Sequence, residues 1–274
     1  MTLRLDGATR LVPIVGDPIA QVKSPAGMSE ALAGAGRNTL VVPAHVAPAD
    51  LERWFAGQAV AKNVDGIIVT VPHKFAAYRL CATASERAHF LRSVNTIRRN
   101  PDGSWHGDMF DGLGYVTAAK AAGCDFAGAR VLLVGTGGAG TAIAQAVAAG
   151  GPALLALDDA DAARRDDLLA RLAMTGSAVA AGSVDPRGFD VVLNATPLGM
   201  RPGDPLPVDG DGLAAAMFVG CVVTEPKVPP LIERARALGC RTMTGADMFR
   251  EVRDLMLAFL LAGPEATPAA GRSA

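Results

Sequence analysis

The feature that most constrains this chain is a run of four apolar residues followed at once by a glycine-rich turn. The run is Val131-Leu132-Leu133-Val134, and the turn is Gly135-Thr136-Gly137-Gly138-Ala139-Gly140. Four successive apolar residues are typical of a strand that is buried on both faces of a parallel sheet. Residues 141–149 favour a helix, so the order strand, G-x-G-x-x-G, helix predicts a dinucleotide-binding motif.

Each glycine of this turn has a separate predicted role. Gly135 allows a tight turn, Gly137 lets backbone N–H groups approach a pyrophosphate, and Gly140 lets the helix pack closely on the strand. The helix N-terminus presents positive partial charge to the phosphates. The predicted cofactor-binding residues of the turn are Gly135, Gly137, Gly138, Ala139 and Gly140. The alternative is a glycine-rich turn that binds nothing.

An acidic pair after the next apolar run favours one form of the cofactor. Residues 153–157 predict a strand that ends at Asp158-Asp159, and Asp158 follows Gly135 by 23 positions. This is close to the spacing of about 20 residues at which a carboxylate binds the ribose hydroxyls of NAD. Asp159 would repel a 2′-phosphate, and Arg164 and Arg165 are interpreted as solvated residues of a helix face. We therefore expect NAD to be preferred over NADP.

Composition excludes several classes of protein. With 274 residues, 50% hydrophobic and 19% charged, the chain suits one large or two modest globular domains. A net charge of −1 without a basic cluster argues against nucleic acid and anionic membranes as partners. The chain has no apolar signal core near Met1 and no transmembrane run, and its four cysteines form no C-x-x-C pair. We expect a cytoplasmic protein with reduced thiols and no metal site.

The remaining pattern alternates strands with helices, which predicts an α/β fold with parallel sheets. Predicted strands cover 11–15, 39–43, 66–71, 94–97, 131–134, 153–157, 179–180, 189–194, 218–223 and 242–243. Residues 100–103, Asn-Pro-Asp-Gly, predict a hairpin turn from which residues 105–111 return. Predicted helices cover 24–35, 50–58, 111–122, 141–149, 229–238 and 247–261, and the tail from residue 263 is rich in Pro, Ala and Gly and is predicted to be disordered.

Several polar residues lie just past predicted strands, where open α/β sheets bind ligands. Ser24 is one, although a helix N-cap would explain it equally. Lys74 follows the strand that begins at Gly66, and the alternative for a lone lysine is a solvated surface group. Asp111 is placed to cap a helix, and capping alone is its alternative role. Together Lys74 and Asp111 would form a cation–carboxylate pair able to support proton transfer.

Five segments, in chain order, resemble motifs of the shikimate/quinate dehydrogenase family. Residues 16–25 resemble the substrate loop G-x-P-I-x-H-S-x-S-P, 69–74 resemble N-V-T-x-P-x-K, 94–96 match A-V-N-T, 107–112 resemble G-x-N-T-D-G, and 194–200 match N-A-T-P-x-G-M. The segments extend over essentially the whole chain. The resemblance is therefore specific.

The resemblance implies two α/β domains with a cleft between them. Residues 1–108, completed by a C-terminal helix at 246–262, would form the substrate domain. Residues 109–245 would form the Rossmann-type dinucleotide-binding domain, and residues 263–274 would be the disordered tail. The implied reaction is hydride transfer between a ring carbon that bears a hydroxyl and the nicotinamide of the cofactor. The protein would act as a monomer or homodimer on a small cyclic hydroxy compound.

The resemblance also implies roles for individual residues. Lys74 and Asp111 would be catalytic. The implied substrate ligands are Ser24, Thr70 and Asn95, and the implied cofactor contacts beyond the glycine turn and Asp158 are Thr196, Met200 and Gly245.

Departures from the motifs cluster on the substrate side. Polar family residues are replaced by Gln21, Val22, Ile68, Met109, Phe110 and Val252, and an aromatic residue of the family is replaced by Thr224. Most of these changes substitute an apolar or smaller group at positions that include the substrate-contacting Val22 and Val252. We expect the same chemistry on a less polar or differently substituted cyclic alcohol. The alternatives are weak binding of shikimate, a sensor that has kept the fold, and an NADP-dependent biosynthetic shikimate dehydrogenase.

Overall fold

The computed structural model describes residues 5–20, 22 and 24–262. Contacts divide the chain into a first unit, Met1–Met109 with Leu255–Ala274, and a second unit, Phe110–Asp254. The sequence prediction assigned all of 246–262 to the first unit, whereas contacts divide the terminal helix at Asp254. The predicted disorder of 263–274 lies outside the described residues.

The first unit is built on a six-stranded sheet with helices in its connections. In chain order its elements are β1 (Arg10–Gly16), α1 (Ser24–Gly34), β2 (Thr39–His45), α2 (Leu51–Val60), β3 (Gly66–Val69), α3 (Lys74–Arg79), β4 (Thr83–Ala84), α4 (Glu86–Leu91), β5 (Thr96–Arg99) and β6 (Trp105–Asp108). The strand order is β2-β1-β3-β5-β6-β4. Its core contains Val15, Phe55, Ile67, Ile97 and Trp105, all at most 5% exposed.

Pairing in this sheet is mixed. β1 is parallel to β2 and β3, but β5 is antiparallel to both β3 and β6. The expectation of parallel pairing is therefore wrong for β5 and β3, whereas the hairpin turn predicted at Asn100–Gly103 accounts for the antiparallel pairing of β5 with β6. As a consequence, the start of β5 lies beside the carboxyl end of β3, where Ile68 is opposite Thr96.

The second unit has a fully parallel sheet. Its elements are α5 (Asp111–Ala121), β7 (Arg130–Val134), α6 (Gly138–Ala148), β8 (Leu154–Asp158), α7 (Ala162–Ala173), β9 (Val179–Ala181), β10 (Val191–Asn194), β11 (Phe218–Cys221), α8 (Pro230–Ala237) and β12 (Arg241–Met243), followed by α9 (Gly245–Leu261), which spans the division between the units. The strand order β12-β11-β10-β7-β8-β9 is that of doubly wound dinucleotide-binding sheets. The predicted α/β class with a Rossmann-type unit is confirmed.

Some local predictions need correction. Helices α3 and α4 were not predicted, because six residues are too few to establish a helical period. Asp111 is not the N-cap of α5, since Phe110 occupies that position and Asp111 is the first helical residue. Among the described residues, no helix is both long and apolar enough to cross a membrane.

Tyr115 is a polar residue that contributes to the core of the second unit without a hydrogen bond. Its side chain is fully buried on α5, and its hydroxyl has no hydrogen-bond partner among the described residues. Burial raises the pKa of Tyr115 well above its usual value, and nearby Cys221 and Cys124 act in the same direction. An unsatisfied buried hydroxyl costs free energy, by about 1–3 kcal/mol.

We therefore expect Tyr115→Phe to stabilise the protein. The free energy of unfolding should rise by about 1 kcal/mol, which raises Tm by roughly 2–4 °C in a domain of this size. The matched control is Tyr78→Phe, because the Tyr78 hydroxyl lies 2.8 Å from His89 Nδ1 and its loss should not stabilise. A lower Tm for Tyr115→Phe than for wild type would contradict the prediction.

Candidate functional site

In the first unit, backbone hydrogen bonds tie the loop after β1 to the turn after β3. The N–H of Thr70 donates to the carbonyl of Val15 at 2.9 Å, and the N–H of Asp17 donates to the carbonyl of Val71 at 3.0 Å. A Cβ at Gly16 would overlap the Thr70 side chain. Thr70 therefore lies directly against the start of the predicted substrate loop.

Lys74 and Asn95 are brought to the same edge of the first sheet. Lys74 is the first residue of α3, and its carbonyl accepts the N–H of Val94 at 3.1 Å. The carbonyl of Asn95 accepts the N–H of Val69 at 2.8 Å. Asn95 is only 3% exposed, so its side chain is buried and does not belong to a solvated surface.

His73 is a buried residue beside Lys74 that sequence reasoning missed. It is 1% exposed, and its Nε2 lies 2.8 Å from the carbonyl oxygen of Val46. This contact anchors the turn that precedes Lys74 to the end of β2. A single histidine gives no periodic signal, and only the adjacent P-H-K sequence could have drawn attention to it.

The predicted substrate loop is described in part. Ser24 begins α1 and is half-buried, while the N–H of Val22 donates to the carbonyl of Ile19 at 3.2 Å. The departure noted at Gln21 lies outside the described residues. Asp17, earlier in the loop, places its carboxylate 2.7 Å from His45 Nε2 at the end of β2.

Asp108 is a buried charge that the sequence analysis did not single out. Its carboxylate accepts hydrogen bonds from Ser85 Oγ and from the Arg87 guanidinium, and it accepts the N–H of Met109 at 2.7 Å. Its carbonyl accepts the N–H of Asn95 at 2.9 Å. Asp108 therefore fixes both Asn95 and the end of β6.

The segment that follows β6 is apolar and buried. Met109 is 1% exposed and Phe110 is 5% exposed, so both side chains are core residues. Asp111, the predicted carboxylate partner of Lys74, begins α5 of the second unit and is 7% exposed. Lys74 and Asp111 thus belong to different units.

Val252 has a packing role in the second unit. A Cβ at Gly114 would overlap the Val252 side chain and lie 2.8 Å from its backbone nitrogen, so α5 and α9 meet closely at this point. Val252 is 7% exposed. The structure gives this residue a helix contact, and its predicted contact with substrate stays a prediction.

In the second unit, the glycine turn joins β7 to α6 as predicted. Gly135 has φ +96°, and a Cβ at Gly140 would overlap the carbonyl oxygen of Gly135. By contrast, no heavy atom lies within 4 Å of a Cβ built on Gly137 or Gly138. Open space therefore lies before the N-terminus of α6, and this arrangement fits the pyrophosphate of a dinucleotide.

The other predicted cofactor residues lie around this turn or frame the same unit. Asp158 ends β8, and its carbonyl accepts the N–H of Gly135 at 2.8 Å. Thr196 and the half-exposed Met200 lie in the loop after β10. Gly245 begins α9, where a Cβ would overlap the carbonyl oxygens of Val222 and Val223. A packing requirement therefore explains the glycine at position 245.

The side chain of Asp159 is engaged within the second unit. Its carboxylate accepts the N–H of Thr136 at 2.6 Å, the Thr136 hydroxyl at 2.8 Å and a hydrogen bond from the Arg164 guanidinium. Burial alone would raise the pKa of Asp159, but hydrogen bonds from Arg164 and from the Asp161 and Thr136 backbone outweigh it and hold this pKa well below its usual value. Arg164, half exposed on α7 as expected for a residue of a helix face, is therefore also the ion-pair partner of Asp159.

The two ends of the glycine turn lead to a matched pair of predictions. Gly140→Ala should lower Tm, because its Cβ would overlap a backbone carbonyl. Gly137→Ala should leave Tm unchanged, since its φ is −67° and its Cβ would meet open space. The Kd of Gly137→Ala for the dinucleotide should nevertheless rise by about tenfold or more, as its methyl group would occupy the space of a phosphate. If Gly137→Ala binds the dinucleotide with unchanged affinity, the pyrophosphate does not lie against Gly137.

No group of three His, Cys, Asp or Glu side chains placed to hold a metal ion occurs in residues 5–20, 22 and 24–262. The four cysteines are all free thiols.

These features define a class of protein in which a dinucleotide-binding sheet is combined with a second α/β unit. The second sheet has the strand order of dinucleotide-binding proteins, and a six-stranded α/β unit with a lysine at its sheet edge accompanies it. Residues 14–97 match the shikimate dehydrogenase substrate binding domain. The chain is 34% identical over 253 residues to the shikimate dehydrogenase (NADP(+)) of Rubrobacter xylanophilus, with 88% of this chain and 87% of the relative covered. The chain belongs to the shikimate dehydrogenase family and is an oxidoreductase that acts on CH–OH groups.

Solved structures agree with this assignment. The shikimate 5-dehydrogenase of Listeria monocytogenes, in complex with shikimate and NAD, has a TM-score of 0.87 at 26% identity and covers 95% of this chain and 94% of its own. The quinate dehydrogenase of Corynebacterium glutamicum, in complex with NAD, has a TM-score of 0.84 at 27% identity and covers 92% and 93%.

The curated relatives correct the expected cofactor preference. The Rubrobacter enzyme and three further relatives at 29–34% identity are all named as NADP(+) enzymes, so the expectation that NAD is preferred is wrong. A free charge on Asp159 would repel a 2′-phosphate. In the structure this carboxylate is only 4% exposed and is paired with Arg164. Its charge is therefore largely compensated locally, which removes the reason for the predicted repulsion.

Proposed function

We propose that this protein interconverts a cyclic secondary alcohol and its ketone, with a nicotinamide dinucleotide as the redox partner. The observation that carries the proposal is the edge of the first sheet, where Lys74, Thr70 and Asn95 are fixed by backbone hydrogen bonds to neighbouring strands. A lysine and two neutral hydrogen-bonding side chains are suited to a hydroxylated substrate. The names of the curated relatives make NADP(+) the first cofactor to test.

In the proposed oxidation, the alcohol loses one proton from its hydroxyl and one hydride from its ring carbon. In the oxidation, the Lys74 amine takes up the proton of the reacting hydroxyl, and it returns that proton in the reduction. Asp111 is proposed as the carboxylate partner of this lysine. Thr70, Asn95 and Ser24 would hold the other substrate oxygens. The dinucleotide, when bound at the glycine turn, accepts the hydride from the ring carbon.

The substrate is proposed to be less polar than shikimate, or differently substituted. The family resemblance implies polar groups at positions that here carry Val22, Ile68, Met109 and Phe110. Ile68, Met109 and Phe110 are at most 5% exposed, so they are core residues and their side chains offer no hydrogen bond. Loss of a hydrogen bond to a charged ligand group costs about 1.5–3 kcal/mol, so two or three losses weaken binding by about 10²–10⁵.

The first experiment measures the formation of reduced cofactor with shikimate and with quinate, each supplied with NAD and with NADP. The Rubrobacter xylanophilus relative is assayed beside it. We expect turnover with KM for the acid raised by about 10²-fold or more over that relative. Tight dinucleotide binding without turnover of either acid or of a panel of less polar cyclic alcohols would replace the proposal with a sensor function.

A gain-of-function variant tests the altered substrate loop directly. Val22→Ser restores the hydroxyl that the family motif has at this position and should lower the KM for shikimate by about tenfold, since one such contact contributes about 1.5 kcal/mol. The matched control is Val60→Ser, which adds a hydroxyl at a position of the first unit that is 80% exposed. If both variants behave like wild type, Val22 does not define substrate preference.

A further inference from the structure

Asn194 is a fully buried polar residue at the end of an apolar strand. It is the last residue of β10, follows Val191-Val192-Leu193, and is 0% exposed. Its position in the sheet is opposite Val134, the last residue of β7. The order of the strands reverses between β7 and β10, and ligands bind in the crevice at such a switch point.

The side-chain amide of Asn194 is used almost entirely by the loop that follows it. Its Oδ1 accepts the N–H of Thr196 at 2.9 Å and the Thr196 hydroxyl at 2.7 Å. Its Nδ2 lies 3.5 Å from the carbonyl oxygens of Thr196 and Leu198, and 3.3 Å from Cys221 Sγ. The acceptor and both donors of the amide thus have partners in or beside this loop.

The hydroxyl of Thr196 continues the network. While it donates to Asn194, its oxygen accepts the N–H of Leu198 at 3.1 Å. The backbone on either side is also fixed, because the N–H of Ala195 donates to the Val134 carbonyl at 2.8 Å. Residues 194–198 therefore form two successive turns, each closed by a hydrogen bond from a backbone N–H to a side-chain oxygen.

This loop packs directly against the glycine turn. A Cβ built on Gly135 would lie 2.8 Å from Thr196 Cγ2 and 2.9 Å from the Thr196 nitrogen. A Cβ built on Gly140 would lie 3.2 Å from the Ala195 Cβ. The turn that is proposed to hold the pyrophosphate is therefore bounded by Ala195 and Thr196, and Asn194 holds the second of these residues.

We propose that Asn194 is a positioning residue of the dinucleotide site, which acts through Thr196 to set the shape of the glycine turn. The inference rests on the proposed function for the identity of the ligand. If Asn194 served stability alone, it would need only to satisfy the hydrogen-bonding groups at the end of β10. The geometry goes further, because the amide also holds Thr196, whose methyl group and backbone nitrogen lie against Gly135.

The test compares Asn194→Ala with the conservative Asn194→Asp. The aspartate keeps both acceptor contacts to Thr196, but it loses the donors and introduces a carboxyl group at a fully buried position. We expect the Kd for NADP(H), measured by fluorescence well below Tm, to rise at least tenfold in Asn194→Ala and by less in Asn194→Asp. KM for the alcohol substrate should stay within threefold in both. Asn63→Ala in the first unit, which removes a bond from Nδ2 to the Thr9 carbonyl, is the control and should bind the cofactor as wild type does.

A second variant separates the two functions of Thr196. Thr196→Val keeps the methyl group that meets Gly135 but removes the hydroxyl bonded to Asn194. Its Kd should shift in the same direction as that of Asn194→Ala. If the folded Asn194 variants have a lower Tm but an unchanged Kd, the proposal is overturned. If Asn194→Ala does not fold, the Kd of Asn194→Asp decides the question.

Hydrogen exchange distinguishes this proposal from the proposed function. Amide exchange over residues 135–140 of the ligand-free protein should accelerate in Asn194→Ala or Asn194→Asp, whereas exchange over 66–69 in the first unit should not. If wild type binds neither NAD nor NADP, the proposed function fails, and exchange at 135–140 still decides whether Asn194 positions the turn. Unchanged exchange at the turn would reject the positioning role.

Discussion

Replacing Lys74 with methionine is expected to lower kcat by about 10²–10⁴-fold, the usual contribution of a positioned proton-transfer group. Methionine keeps the length and the apolar stem of lysine but has no nitrogen to exchange a proton. Lys74 is the first residue of α3, and its backbone is held by the N–H of Val94, so the helix should form in the variant. Tm and the Kd for the dinucleotide should therefore stay unchanged.

Lys62→Met is the matched control for this experiment. Lys62 is an exposed lysine of the same unit, and the contact it makes to Arg10 uses its backbone carbonyl. Its loss should leave kcat and Tm as in wild type. A Lys74→Met enzyme with kcat within threefold of wild type would remove Lys74 from the mechanism, even if the cofactor and substrate assignments hold.

Asp108→Asn is expected to cause the largest loss of stability from a single charge in the first unit. Breaking a buried ion pair by removing one partner costs about 3–5 kcal/mol, because the remaining charge stays desolvated. The Asp108 side chain is 7% exposed, while Arg87 is 29% exposed and retains some solvent. We therefore expect a loss near the lower limit, about 3 kcal/mol, in the free energy of unfolding measured with urea.

Asp102→Asn provides the comparison. Asp102 lies in the turn of the same hairpin and is exposed, and its carboxylate accepts the N–H of Ser104 at 2.9 Å. Hydrogen bonds from the hydroxyl and from the backbone N–H of Ser104 lower the pKa of this carboxyl. Its loss should lower the free energy of unfolding far less than the loss of the buried Asp108 carboxylate does, because exposed charges contribute little to stability. Equal losses in the free energy of unfolding of the two variants would show that burial does not determine how much the Asp108 carboxylate contributes to stability.

The elements with strong periodic or motif signals were predicted well from sequence. β7, the glycine turn and α6 appear where the apolar run and G-x-G-x-x-G place them. The hairpin turn at 100–103 likewise joins β5 to β6. These features are local, so neighbouring residues in sequence contain the information that specifies them.

Other features depended on partners that are distant in sequence. Asp159 was interpreted as a charge that would repel a phosphate, whereas it binds Thr136, which lies 23 residues earlier along the chain. Val252 was chosen by motif position, and its contact with Gly114 comes from the crossing of two helices. Asp108 and His73 attracted no attention because a single buried polar residue has no periodicity.

The sequence by itself determined the class of the fold, the position of the dinucleotide turn and the family of the protein. Those conclusions follow from apolar spacing, from glycines required by backbone geometry and from motifs that each lie within about ten residues. The tertiary structure alone decided which charges are compensated, which apolar residues are core and which amide holds the loop beside the glycine turn. Burial and hydrogen bonding between distant segments set those properties, and both exist only once the strands of each sheet have paired.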